Sequence, residues 1–153
     1  MLLVVDANVF VSELLRARGR RLVEEPQLRL RVSAKAWEEA RHELPKRAEK
    51  ILAQGRLTQP QADALLASAL RVAEERAVAV PSEVFGAFEE PAAYRIPRDP
   101  DDVPTVALAL ALGGAEGRCG IWTGDGDFLG CGIPTWTTET LLSHLRYTGR
   151  DGM

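Results

Sequence analysis

The chain has 153 residues, enough to bury a real core, and it is expected to form one domain, 1–153. With 46% apolar and 27% charged residues, its composition is that of an ordered globular protein and argues against disorder. The net charge of −3, from 22 acids against 19 Lys plus Arg, excludes a global cationic pull on nucleic acid, so any such binding needs local basic patches.

In chain order, Leu2-Leu3-Val4-Val5 is a continuous apolar run that stops at Asp6, the pattern of a buried parallel strand over 2–6. Asn8 to about Arg18 has helical spacing, with Gly19 as its stop. Residues 28–32 alternate with period two and predict a second strand near a sheet edge. Ser33 is placed to cap a helix through Trp37, Glu38, Glu39 and Leu44, ended or kinked by Pro45. A short helical piece over 46–54 closes at Gly55. Thr58-Gln59-Pro60-Gln61 has the form of a capping box and opens an amphipathic helix over 58–76. Ala77-Val78-Ala79-Val80 predicts a third strand, stopped by Pro81, and 81–98 a short helix plus loop.

Asp99-Pro100-Asp101-Asp102 introduces an apolar helix through Leu112, with Asp101 as the expected cap and Gly113-Gly114 as the stop. Residues 119–123 predict a fourth strand ending at Gly124-Asp125-Gly126-Asp127. A last strand over 133–136 leads to a closing helix over 138–147, capped by Thr137. Strands alternating with helices predict a three-layer α/β/α sandwich on a mostly parallel sheet. Cys119 and Cys131 have no CxxC and no His at ligand spacing, so they are expected as buried free thiols. The first apolar run has no basic leader and no stretch is long enough to span a bilayer, so the expectation is a cytoplasmic protein without membrane attachment.

Four separate segments offer carboxylates: Asp6, the pair Glu38 and Glu39, the pair Asp101 and Asp102, and Asp125 with Asp127. At least two of these segments end strands, where open parallel sheets bind ligands. Each acid alone has an ordinary role as a cap, a turn residue or a solvated face. Together, in one crevice, they would repel one another unless a divalent cation offset the charge. Hard oxygen ligands favour Mg²⁺ or Mn²⁺, which suit phosphodiester hydrolysis by acidifying a bound water. With only His42 and His144, acid–base chemistry by histidine is poorly supported.

Val4-Val5-Asp6-Ala7-Asn8-Val9-Phe10 resembles the opening of PIN-domain nucleases. Asp99 to Gly113 resembles their third acidic motif, and Thr123-Gly124-Asp125-Gly126-Asp127-Phe128-Leu129 their fourth. The likeness spans nearly the whole chain, and is to a less-characterised group rather than to well-described VapC toxins. It implies a PIN-like α/β/α sandwich and a metal-dependent ribonuclease acting on single-stranded RNA, with a toxin role, an antitoxin partner and a homodimer as further expectations. Carried over by motif, Asp6, Asp102 and Asp125 are implied as metal ligands and catalytic acids, and Asp127 as an auxiliary metal acid. Glu39 is implied as the second-motif acid with Glu38 as fallback, while Asn8, Thr123 and Asp101 would support the site.

An acidic site needs cationic help for a polyanion. The sequence offers Arg16, Arg18, Arg20 and Arg21, then Arg41, Lys46, Arg47 and Lys50, then Arg95 and Arg98. Trp37, Trp122 and Trp136 could stack bases, but the two strand tryptophans suit a core better. The apolar faces of 58–76 and 138–147 could serve a dimer as well as a core. Two other readings compete. A non-catalytic PIN-like module would bind RNA or protein and no metal. A haloacid-dehalogenase-type phosphatase would want an aspartate two residues after Asp6, where the chain has Asn8.

Overall fold

The computed structural model describes the backbone of residues 1–151 and the side chains of residues 1–146. Its strands are β1 (Leu2–Val5), β2 (Arg29–Ser33), β3 (Ala77–Val80), β4 (Gly120–Trp122) and β5 (Thr135–Trp136). Every neighbouring pair is parallel, in the order β3-β2-β1-β4-β5. The helices are α1 (Ala7–Leu14), α2 (Ala17–Val23), α3 (Ala34–Ala53), α4 (Gln59–Arg76), α5 (Ser82–Phe85), α6 (Glu89–Arg95), α7 (Val103–Glu116) and α8 (Thr138–Asp151).

Alternation along β1 sorts its side chains between two cores. Leu3 and Val5 pack with Phe10 and Leu14 of α1, Leu22 of α2, Leu44 of α3, Val72 of α4 and Leu141 of α8. Leu2 and Val4 pack with Phe85, Ala92 of α6, and Val106 and Leu108 of α7. The sheet is therefore covered on both faces, as the three-layer sandwich requires. Full burial of a residue such as Leu3 contributes about 1.5–3 kcal/mol, and β1 supplies four such residues. No described helix is long and apolar enough to cross a membrane.

Several expected caps are present. Ser33 Oγ accepts the Ala36 N–H at 3.1 Å. The Thr58–Gln61 capping box closes in both directions, at 3.3 and 2.9 Å. Thr137 Oγ1 accepts the Thr140 N–H at 3.1 Å to open α8. Cys119 and Cys131 are free and buried.

Other local expectations are corrected. Gly19 does not end the first helix. That helix stops at Leu14, and Gly19 lies inside α2, where a Cβ would collide with the Glu13 backbone. A close approach of two helices, rather than a turn, requires the glycine. Pro45 does not interrupt α3, which runs unbroken from Ala34 to Ala53. Pro45 sits on the exposed face, where water can satisfy the carbonyl its ring leaves free, while Leu44 and Ala48 hold the opposite face in the core.

The double glycine likewise fails to stop α7. The helix continues to Glu116 and ends at Gly117, whose φ of 92° favours glycine. β2 does lie near an edge, one strand in, between β1 and the edge strand β3. Its alternation arises because Arg29 is exposed and pairs with Glu116 of α7 at 2.8 Å. Segment 82–95 is more helical than expected, forming α5, a tight turn and α6. The apolar faces of α4 and α8 are occupied by the core through Ala69, Val72, Ala73 and Leu141.

Candidate active site at the carboxyl ends of β1 and β4

From β1 the chain proceeds outward through β2 to β3, then returns to place β4 on the other side of β1. Strand order reverses between β1 and β4, and the splayed loops leave a crevice outside their carboxyl ends. Asp6 follows β1 directly, and Thr123 to Asp127 follow β4. The topology thus brings together acids more than a hundred residues apart.

Asp6 occupies the N-cap position of α1 but makes no side-chain cap hydrogen bond. Its Oδ2 instead accepts from the Thr123 hydroxyl at 3.1 Å. Thr123 Oγ1 in turn accepts the Asp125 N–H at 3.0 Å, and Asp125 Oδ1 accepts the Asp127 N–H at 2.9 Å. Only 6% of Asp6 is exposed, and this burial raises its pKa. The Thr123 hydrogen bond opposes that shift, and the Asp125 charge adds to it.

The second half of the site comes from the approach to α7. Asp99 Oδ1 accepts the Asp101 N–H at 3.0 Å and starts the tight turn Pro100–Asp102. The capping acid is therefore Asp99 and not Asp101. Asp101 is exposed and pairs with Lys35 Nζ at 2.9 Å. Asp102, at the entry to α7, is half-buried, and its Oδ2 is buried with no hydrogen-bond partner. Burial, then the charges of Asp99 and Asp6, push its pKa up to about 7, with Asp125 adding to the shift. The charges of Asp6, Asp102 and Asp125 thus act on one another.

Among the described residues, Asp99, Asp125 and Asp127 form a set whose carboxylate oxygens lie within 4.8 Å of one another. The sequence reading missed Asp99, although its place before a proline and two acids was a signal for a capping aspartate. It also passed over Lys35. That lysine lines a crevice of about 260 Å³ together with Asp6, Asn8, Glu39 and Asp102. Both glutamates are exposed on α3, but Glu39 lines this crevice and Glu38 does not.

A second opening of about 550 Å³ joins Asp6, Asn8 and Asp125 to Glu13, Arg16 and Arg18. Glu13 is 4% exposed and reaches Arg18 at 3.5 Å and Arg16 at 3.8 Å, so a buried carboxylate steadies two arginines at the rim. Sequence spacing did not mark it. The other expected cations are scattered. Arg20 Nη1 donates to the Leu14 carbonyl at 3.0 Å and so satisfies the end of α1. Arg47 Nη1 donates to Ser12 Oγ at 3.0 Å. Arg98 lines a cleft with Asp127, Arg95 donates to the Cys131 carbonyl at 2.9 Å, and Arg21 and Arg41 are exposed. Trp122 is fully buried, its indole N–H donating to Thr138 Oγ1 at 3.1 Å, and it cannot stack on a ligand.

The donor set fits a hard divalent cation. It consists of carboxylate oxygens, and one of them is a buried oxygen of Asp102 that no protein group satisfies. Burial first, and then the charges of Asp99, Asp6 and Asp125, hold a proton on Asp102 to about pH 7, and a cation in the crevice would favour its ionised form.

A comparison with curated proteins found no match. The pattern of the PIN domain matches residues 4–146, a span that takes in the acids of the crevice from Asp6 to Asp127 and removes the case for a dehalogenase-type phosphatase. Sheet order, the carboxylates at its switch point and this match agree, and the chain belongs to the PIN-domain family, whose members are generally nucleases.

Proposed function

We propose that the protein is a Mg²⁺- or Mn²⁺-dependent ribonuclease that hydrolyses phosphodiester bonds of single-stranded RNA. The observation that carries this reading is the convergence of Asp6, Asp99, Asp102 and Asp125 at the β1–β4 switch point, with a buried oxygen of Asp102 left unpartnered. Asp6, Asp102 and Asp125 would hold the cation, and Asp99 and Asp127 complete the acidic wall. The chemistry such an ion supplies is a lowered pKa for the attacking water and compensation of charge on the phosphate.

The remaining work falls to side chains. Thr123 holds Asp6 in one orientation through its hydroxyl, so the carboxylate need not reorganise when a cation binds. Glu39 faces the same crevice from α3 and is placed to accept a proton from water there. Arg16 and Arg18, steadied by Glu13, stand at the rim and would receive the phosphates flanking the scissile one. Lys35, tethered by Asp101, provides a cation on the opposite rim.

The test is incubation of the protein with labelled single-stranded RNA, duplex RNA and single-stranded DNA, with Mg²⁺, Mn²⁺ or EDTA. Cleavage of the single-stranded RNA that requires the metal is expected. An activity that survives EDTA would overturn the metal role. Absence of metal binding near neutral pH would favour a non-catalytic PIN-like module that binds RNA or protein.

A further inference from the structure

Beside the acidic crevice lies a depression of opposite charge. A groove of about 740 Å³ runs between α1, α3 and the start of α4. Arg16, Arg47, Lys50 and Arg56 line it, and no acid does. In a chain of net charge −3, a groove walled by four cations is a local concentration of positive potential. Arg47 is held in place by Ser12. Lys50 and Arg56 have no ion pair or side-chain hydrogen bond among the described residues, so their charges are available.

The groove has a second property. Its lining includes Leu15, Ile51, Leu57 and Leu65, all half-buried, so cations and apolar side chains share one surface. Phosphates pair with the first kind of group, as in the charged grooves that track single strands, and the faces of unpaired bases can pack on the second through apolar contact rather than aromatic stacking. A duplex keeps its bases inside and would leave the apolar lining uncovered.

Its position decides the occupant. Ser12 and Arg16 line both this groove and the opening that contains Asp6, Asn8 and Asp125. A polyanion with one phosphate at the carboxylate crevice can therefore continue into the groove without leaving the surface. An acidic protein segment would match the cations, but nothing would draw it on towards the carboxylates.

We propose that this groove is a track for single-stranded RNA, holding the nucleotides on one side of the phosphate that enters the acidic crevice. The substrate class rests on the nuclease reading above, whereas binding in the groove needs neither a metal nor turnover. Lys50 and Arg56 are the contacts furthest from the acids in sequence, and Arg16 is the link between the two sites.

The test measures affinity of a labelled oligouridylate in EDTA, across a salt series, for the wild type, the Lys50→Ala/Arg56→Ala double variant and Arg118→Ala. Arg118 is exposed and precedes β4, at the sheet end opposite the crevice. Each lost phosphate contact lowers the salt slope by about 0.7, so the double variant should lose about 1.4 and bind about 25-fold more weakly at roughly 0.1 M salt. Arg118→Ala should match the wild type, and circular dichroism should show all three folded. Equal weakening by Arg118→Ala, or an unchanged double variant, would overturn the track. An oligoglutamate peptide that binds the wild type as tightly as the RNA, with the same loss in the double variant, would overturn it in favour of an acidic protein segment. Cleavage in Mg²⁺ or Mn²⁺ is scored separately: RNA binding lost in the double variant without any wild-type cleavage would sustain the track and reject the nuclease.

Discussion

The Thr123 hydroxyl donates to Asp6 Oδ2 at 3.1 Å across 117 residues of chain, while its oxygen accepts the Asp125 N–H at 3.0 Å. One side chain therefore ties the ends of β1 and β4 together and orients an acid from each. Thr123→Val keeps the shape and removes both functions. A fall of about 10–100-fold in metal affinity and cleavage rate is expected, by analogy with the loss of groups that orient metal ligands. Thr123→Ser should restore most of it. A Thr123→Val protein with wild-type metal affinity by titration calorimetry would separate Thr123 from the site.

Removing one charge from the crevice should cost activity but not folding. Asp6→Asn or Asp125→Asn is expected to abolish cleavage while the metal-free protein melts no lower than the wild type, because repulsion among the acids is relieved. Near-full turnover in either variant would show that the cation does not sit there.

Burial of Asp102, reinforced by the same repulsion, predicts a pH dependence. Asp102 has a folded-state pKa raised from 3.8 to about 7, so between those values the folded chain binds a proton that the unfolded chain has released. Stability of the metal-free protein should therefore fall as pH rises from about 4 to about 7 through this group, and stay low above. Asp102→Asn should flatten that slope in EDTA melts. Added Mg²⁺ or Mn²⁺ should recover stability at the alkaline end, where the carboxylates are free to bind. A melting temperature that climbs steadily across this range in EDTA, with Asp102→Asn following it, would contradict the assignment.

Glu38 and Glu39 are adjacent in sequence but not in environment. Both are exposed, but Glu39 lines the crevice with Asp6 and Asp102 and Glu38 does not. Glu39→Gln should reduce the cleavage rate by about 10²–10⁴-fold, the range for a positioned acid–base group, and Glu38→Gln should be close to wild type. The reverse order in a side-by-side assay would exchange their roles.

Pro45 supplies a test of the fold alone. It lies inside α3 on the exposed face and withholds one backbone donor. Pro45→Ala restores that bond without touching the core and should stabilise the protein by about 1–3 kcal/mol in denaturant melts. Destabilisation would mean that the proline sets a bend in α3 on which packing of the helix depends.

The local rules read from the sequence held wherever a short segment carries its own instruction. Ser33, Thr58 and Thr137 cap the helices that follow them because each hydroxyl needs only the N–H three residues on. The apolar run of β1 is buried on both faces because nothing in it can face water. Punctuation residues were less reliable. Gly19 and Pro45 carry the same local signal as a helix stop, yet distant packing decides that one is a helix contact and the other is tolerated.

The candidate site divides in the same way. That the charges of Asp6, Asp102 and Asp125 influence one another was legible from their places at strand and helix ends and from the motifs around them. That Asp99 caps the turn was signalled by its place before Pro100, but that it joins Asp125 and Asp127 was not, because that approach depends on the path of the chain. Sequence also could not separate Glu38 from Glu39, since neighbouring helical residues differ by about 100° in direction and the crevice decides which faces it. Composition and pattern determined an α/β chain with acids at its strand ends, because those are local properties. The reversal of strand order between β1 and β4 decided which acids meet, because that adjacency exists only once the sheet has formed.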